Sequence, residues 1–301
     1  MALRILQFGR SGQVGTELLS KAIARGHDIA ALGRDIIDLA QPDRIPWAVS
    51  AAGRVDVVIN GAAYTQVDKA EAEPERAALV NSDAARVLAE TCAKRNLPLI
   101  HLSTDYVFDG RKSEPYLEED TPAPLNVYGR TKLLGEIAVR ECHPAHIILR
   151  TSWVYSAHGT NFVRTMLRLG TELDELRIVD DQRGAPTAAG DIAEACLTLC
   201  EAIVQRRAAT PWGTYHFTAA GETTWFGFAK AIFEDAASWY GRRPVIVPIA
   251  SSAYAAAASR PLNSRLNCEK IVRNFGILPR PWRQGLDEVL AALRGSWEKD
   301  A

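Results

Sequence analysis

Short apolar runs alternate with amphipathic stretches from the first residues onward. Leu3-Arg4-Ile5-Leu6-Gln7-Phe8 reads as a strand, followed by Gly9, Gly12 and Gly15 and then a helical stretch through about Ala24. Asp28 to Leu32 predicts a second strand. Val55 to Asn60 predicts a third, and its unbroken apolar run fits a parallel strand buried on both faces. Pro74 to Lys94 predicts one long helix, with proline near its first turn where the missing N–H costs nothing. Leu97 to Ser103 follows as a fourth strand, Leu125 to Arg140 as a helix, and His146 to Arg150 as a fifth strand. This alternation predicts parallel crossovers and an α/β, Rossmann-type doubly wound sheet.

Beyond about residue 155 the regularity weakens. The pattern still predicts helices at 160–170, 189–206, 224–240 and 281–294, with short strands at Arg177–Val179, Thr214–Phe217 and Pro244–Ile249. These elements predict a smaller, irregular α+β lobe on the C-terminal side, over the carboxyl edge of the sheet where doubly wound folds bind ligands. The expected division is a dinucleotide-binding domain over 1–157, rejoined by a returning helix near 189–206, and a substrate-binding lobe over 158–188 and 207–301.

Composition narrows the function class. The 301 residues are 47% hydrophobic, enough for one large or two smaller cores. Lys and Arg total 35 against 36 Asp and Glu, which lacks the basic footprint of a nucleic-acid binder. No apolar run approaches the roughly 18 residues of a membrane span, and the chain opens on a strand-like run without a secretory pattern. A cytoplasmic protein with neither nucleic-acid nor membrane partners is expected. The five scattered cysteines read as buried thiols in a reducing compartment.

The candidate chemistry gathers at strand ends. Gly9, Gly12 and Gly15 lie between a strand and a helix, the context of a dinucleotide turn in which backbone N–H groups meet a pyrophosphate. The second strand ends in Leu32-Gly33-Arg34-Asp35. An arginine there accommodates a 2′-phosphate and favours NADPH, whereas an acid pairs with a 2′-hydroxyl and favours NADH. Asp38 and Leu39 follow, close enough to flank an adenine. Asn60-Gly61-Ala62-Ala63-Tyr64-Thr65 offers small residues where the chain would pass a cofactor. Ser103 or Thr104, depending on register, can offer a hydroxyl to a substrate oxygen.

Tyr128 and Lys132, four apart on a predicted helix, share one face. The ammonium is expected to favour the ionised phenol, whose free pKa is near ~10. With the glycine turn, this pair predicts a nicotinamide enzyme that reduces a carbonyl or oxidises an alcohol. By contrast, Asp180-Asp181 reads as solvated loop, Glu71-x-Glu73-x-Glu75-Arg76 as an exposed helix start, and His216 as a core histidine.

These motifs resemble those of extended short-chain dehydrogenases/reductases. Within that superfamily, Phe8-Gly9-x-x-Gly12-Gln13-Val14-Gly15, Arg183-Gly184-Ala185-Pro186-Thr187 and Arg260-Pro261-Leu262-Asn263-Ser264-Arg265-Leu266 are most similar to the dTDP-4-dehydrorhamnose reductase family, across essentially the whole chain. The resemblance implies NADPH as cofactor, with NADH also usable, and a dTDP-linked 4-keto-6-deoxy-L-sugar as substrate. It implies Thr104, Tyr128 and Lys132 as the catalytic set. It also implies cofactor contacts at Gly9, Gly12, Gln13, Val14, Gly15, Arg34, Asp38, Leu39, Ala62, Ala63, Thr65, Tyr128 and Lys132. Thr104, Asp105 and Trp153 are the implied substrate contacts; Arg260, in a Pro-rich polar loop where it could cap a helix or bind the diphosphate, and Asn263 are further expected ones. A homodimer is a further expectation. Some family members are dimers bridged by Mg²⁺ through glutamates; Glu17 fits one such place, but the others read Asp191 and Ala292, a departure from that pattern, and no catalytic metal is expected because the tyrosine already supplies acid catalysis. Two other readings fit the superfamily motifs: a sibling nucleotide-sugar ketoreductase or epimerase, and a non-catalytic NADP-binding regulatory subunit.

Overall fold

The computed structural model describes residues 2–300. Five parallel strands follow the predicted alternation: β1 (Arg4–Phe8), β2 (Asp28–Leu32), β3 (Val57–Asn60), β4 (Leu99–Thr104) and β5 (His146–Thr151). Between them run α1 (Gln13–Ala24), α2 (Ile45–Ala51), α3 (Val67–Ala72), α4 (Pro74–Ala78), α5 (Ala84–Lys94) and α6 (Val127–Cys142). The remainder comprises β6 (Val154–Tyr155), α7 (Phe162–Glu172), β7 (Glu175–Val179), β8 (Arg183–Gly184), β9 (Thr187–Ala188), α8 (Ala189–Arg206), β10 (Gly213–His216), β11 (Thr223–Thr224), α9 (Trp225–Tyr240), β12 (Val245–Ile249), α10 (Glu269–Phe275) and α11 (Trp282–Asp300). No helix among the described residues is long and apolar enough to cross a membrane.

The main sheet has six strands in the order β10-β5-β4-β3-β1-β2, so the winding direction reverses between β1 and β3. That reversal opens a crevice at the carboxyl edge. Register brings the edge level: Phe8 pairs with both Leu32 and Asn60, and Thr104 with Thr151. The glycine turn, the end of β2 and the loop after β3 therefore start at one height. Strand β10 differs in placement from the sequence reading, which put Thr214–Phe217 in the smaller lobe. Gly213–His216 instead pairs with Ile147–Arg150 and extends the main sheet. A strand's sheet partner is a long-range property that local alternation does not carry.

Both faces of the sheet are covered. Leu18 and Ala22 of α1, Ile192 and Cys196 of α8 and Ile271 of α10 pack on one face; Ile45 of α2, Leu88 of α5 and Val139 of α6 pack on the other. A separate core joins Met166 of α7, Phe228 and Ile232 of α9, and Leu286 and Leu290 of α11. The stretch predicted as one helix over 74–94 is α4 and α5 joined by a π-helical turn, Leu79–Asp83. The wide turn presents Asn81, whose side chain bonds the Tyr64 backbone N–H at 2.8 Å and the Thr131 hydroxyl at 3.0 Å. It thereby ties the loop after β3 to α6.

Candidate active site

A cavity of about 880 Å³ lies along the carboxyl edge, between the glycine turn, the ends of β2, β3 and β4, helix α6 and the lobe. Gly9, Gly12, Gln13, Val14, Arg34, Asp38, Leu39, Ala62, Ala63, Thr65, Thr104, Asp105, Tyr128, Lys132 and Trp153 all line it.

Sterics dictate the glycines. Gly9 has φ +97°, and a Cβ there would stand 2.7 Å from the Ala62 nitrogen. A Cβ on Gly15 would fall 1.8 Å from the Gly9 oxygen, so this glycine seats α1 rather than lining the cavity. Gln7 Nε2 donates to Gly15 O at 2.9 Å and locks that seat. Gly12 caps α1 without any side chain covering the helix start, and the first turn holds no acid. Its orphan N–H groups are left for an anion, which fits a dinucleotide pyrophosphate. The Gln13 side chain bonds Val154 O and Ser156 Oγ across to the lobe. Gly15→Ala is expected to weaken NADPH binding about 10²-fold by shifting this cradle, as a fluorescence titration would read; unchanged affinity would remove the turn from the site.

At the end of β2 the two charges separate. Asp35 is held by Arg10 at 2.9 Å, whereas Arg34 is exposed at the cavity rim with no ion pair among the described residues. The base, not the acid, is the free group.

Helix α6 is brought close by its own glycines. Asn126 caps it, accepting from Gly129 N at 2.7 Å. A Cβ on Gly129 would lie 2.1 Å from Tyr106 O, and one on Gly135 2.1 Å from Asn81 O. This contact sets Tyr128 beside β4, edge-on to Tyr106 at 5.8 Å and lining the cavity together with Thr104. Register resolves the neighbouring hydroxyls. Ser103 Oγ donates to the buried Glu136 at 2.6 Å, while Thr104 Oγ1 donates to Asp105 Oδ1 at 3.0 Å and accepts from Tyr106 N at 3.2 Å.

Lys132 Nζ donates to Leu102 O at 2.7 Å and lies 3.5 Å from His101 Nε2. Burial pulls its pKa down to about 8, against the attraction of Glu136. Burial likewise pushes Tyr128 up to about 12, so the expected lowering of the phenol by Lys132 is absent from this arrangement. The lysine is turned toward a backbone carbonyl instead. A phenol protonated throughout the neutral range suits a proton donor. Asp105 is pushed up to about 7 by burial, which outweighs the lowering by the nearby Ser264 and Thr104 side chains.

The lobe contributes aromatic rings. Trp153, at φ +47°, stacks on Trp225 with centroids 3.6 Å apart and planes 6° from parallel. Gly184 leaves room beneath: a Cβ there would enter the Trp153 ring at 2.4 Å. Trp225 Nε1 donates to Gln182 at 3.2 Å, and Phe162 leans on the same ring. Trp225 and Phe162 were not legible as site residues, because only the fold brings them to Trp153.

Two expected substrate contacts lie elsewhere. Arg260 pairs with Asp68 at 2.6 Å and bonds Ala258 O. Asn263 donates to Lys112 O and Glu114 O and accepts twice from Arg265, so its amide is fully used in holding its loop. Neither lines the cavity. Glu17 faces His158 at 3.6 Å and Asp191 pairs with Arg280 at 2.6 Å; no group of three or more metal-ligating side chains occurs among the described residues.

Residues 3–294 match the family described as RmlD substrate binding domain. The chain is 44% identical to a dTDP-4-dehydrorhamnose reductase of Sinorhizobium fredii over 97% of this chain and 98% of the relative. It is 45% identical to one of Burkholderia thailandensis over 93% and 96%. Its fold superposes with a TM-score of 0.88 on the Bacillus anthracis dTDP-4-dehydrorhamnose reductase in complex with NADP, at 35% identity, covering 97% of this chain and 100% of that one. On this match, and with the glycine turn, the Thr104–Tyr128–Lys132 group and the lobe assembled around one cavity, the chain belongs to the RmlD substrate binding domain family, that of the dTDP-4-dehydrorhamnose reductases.

Proposed function

We propose that the protein reduces the C4 ketone of dTDP-6-deoxy-L-lyxo-4-hexulose to dTDP-L-rhamnose, in the supply of rhamnose for cell-surface polysaccharide. The observation that carries this reading is Tyr128, Thr104 and Lys132 gathered with an uncapped glycine-turn helix and the Trp153–Trp225 stack around one cavity. NADPH, when bound, supplies the hydride. The start of α1 and the small residues Ala62 and Ala63 would hold it, with Arg34 at the adenosine end and Lys132 at the nicotinamide ribose. Thr104 and Tyr128 aim their hydroxyls at the ketone oxygen. Tyr128 protonates that oxygen as charge develops on it. The stacked Trp153–Trp225 pair offers an apolar wall for the deoxysugar and, with Phe162, keeps water away.

Consumption of NADPH and NADH tests the reading, using the 4-keto-L-sugar nucleotide made in place by its upstream epimerase, beside the unepimerised 4-keto-D-sugar. Oxidation that requires the epimerase supports it. Oxidation with the D-sugar alone would point to a sibling reductase. In the same assay Arg34→Ala is expected to raise the KM for NADPH about 10-fold, the worth of one charge-assisted contact, and leave that for NADH unchanged. Equal effects on both cofactors would remove Arg34 from the 2′-phosphate.

A further inference from the structure

We propose that His101, held by Asn60, is a positioning residue that offers Lys132 a hydrogen where an ammonium needs an acceptor, so that Lys132 rests as a neutral amine and takes up a proton when NADPH binds. This rests on the place given above to Lys132 at the nicotinamide ribose and adds the protonation state in which it waits.

Hydrogen-bond polarity carries it. The Ala62 N–H meets Asn60 Oδ1 at 3.2 Å, and a backbone N–H can only donate, so this end of the amide is the oxygen. The Nδ2 end of Asn60 then faces His101 Nδ1 at 3.1 Å and donates to it. Asn60 and His101 are each 1% exposed, so protein groups alone settle their polarity. His101 therefore carries its one ring proton on Nε2. That nitrogen lies 3.5 Å from Lys132 Nζ, whose other hydrogen-bond partner among the described residues is Leu102 O at 2.7 Å. An ammonium has three hydrogens and no lone pair, so it would meet the His101 hydrogen head-on. An amine accepts from His101 with its lone pair and still donates to Leu102 O.

The charges nearby agree. Burial, with Lys132 and His146, holds the His101 pKa well below its ordinary value, and a second ring proton would collide with the Asn60 amide hydrogens. Along α6, Glu136 stands one turn beyond Lys132 and Tyr128 one turn before it. Glu136 is the anion that favours the ammonium, but Arg150 of β5 at 2.7 Å and Arg140 at 3.2 Å already hold it. Asp105, from the turn after β4, lines the same cavity. Burial outweighs Glu136 and leaves Lys132 at about 8.

With NADPH bound, Lys132 donates to ribose hydroxyls, which favours its charged form. The Nζ lone pair takes one proton from solvent, one N–H bond forms, and the buffer acid that gave the proton keeps its electron pair. The positive charge beside Tyr128 thus appears with the cofactor in place.

Calorimetric titration with NADPH tests the proposal at about pH 8.5, just above the Lys132 value, in buffers of different ionisation enthalpy. The dependence of the heat on the buffer counts the protons taken up. The 2′-phosphate, whose second ionisation lies near ~6, is fully ionised there and adds none. Wild type is expected to take up roughly three-quarters of a proton, so its affinity for NADPH falls as pH rises above about 8. His101→Leu keeps the burial and removes the hydrogen. Asn60→Asp turns the pair round: a carboxylate accepts from Nδ1–H, which leaves the Nε2 lone pair for the lysine, and the lysine as the stronger base keeps the proton. Each variant is expected to cut the uptake about threefold, the result of an about tenfold loss in the lysine's acidity at this pH. Saturable NADPH binding reports that a variant is folded. Unchanged uptake in either folded variant would assign the proton to burial alone or to Asp105 and overturn the role of His101, as would a wild type that takes up none. Wild-type protein that binds no NADPH would instead overturn the cofactor-dependent reduction itself.

Discussion

Replacing Tyr128 by Phe is expected to lower kcat by roughly 10²- to 10⁴-fold, the usual worth of a placed proton donor. The ring is retained, so its edge contact with Tyr106 and the packing of α6 persist. What disappears is the phenol hydroxyl that shares the cavity with Thr104. NADPH affinity should change by less than about 10-fold, since the glycine turn and Lys132 remain in place. Steady-state kinetics beside a fluorescence titration separates the two effects. Near-wild-type turnover would remove Tyr128 from proton transfer. A collapse of cofactor binding would make it a binding residue.

The second large effect falls on stability. Glu136 is fully buried one turn beyond Lys132, and takes hydrogen bonds from Arg150 at 2.7 and 2.9 Å, Ser103 at 2.6 Å and Arg140 at 3.2 Å. Burial alone would raise its pKa; the paired guanidinium of Arg150, with Ser103 and Arg140, overcomes this and holds it below the ordinary carboxylate value. Glu136→Ala leaves the equally buried Arg150 uncompensated, and the expected loss is about 3–5 kcal/mol in urea unfolding. The sign in pH follows from the lowered folded-state pKa. The stabilisation is complete above the unfolded carboxylate pKa and fades as pH falls through the folded one, so the gap between wild type and variant should narrow in acid. A loss below about 1 kcal/mol would mean that the cluster contributes little beyond fixing register.

The sequence made the sheet and the glycine turn legible because both have local signatures. Asp28–Leu32 and Ala189–Arg206 fall where period and flanking residues place them, and the strand–helix alternation implied the doubly wound sheet that forms. What stayed hidden depends on which polar groups find one another. Nothing in Ser103-Thr104 says that one hydroxyl serves a buried glutamate and the other the cavity; β4's register against α6 decides it. Asn263 looked available for substrate, yet two backbone carbonyls and Arg265 use all of it. The expected effect of Lys132 on Tyr128 assumed that sharing a helix face means facing each other, whereas Leu102 O draws the ammonium away. The Trp153–Trp225 stack joins residues far apart in the chain.

The central claim is that hydride ends on the sugar's C4 carbon in a net reduction. It is tested most directly with NADPH deuterated at the transferred position of the nicotinamide, the epimerised 4-keto sugar nucleotide, and NMR of the product. The account predicts dTDP-L-rhamnose carrying one deuterium at C4, with one NADPH oxidised per product. Product without deuterium, or turnover without net NADPH oxidation, would contradict it and turn the reading toward an epimerase.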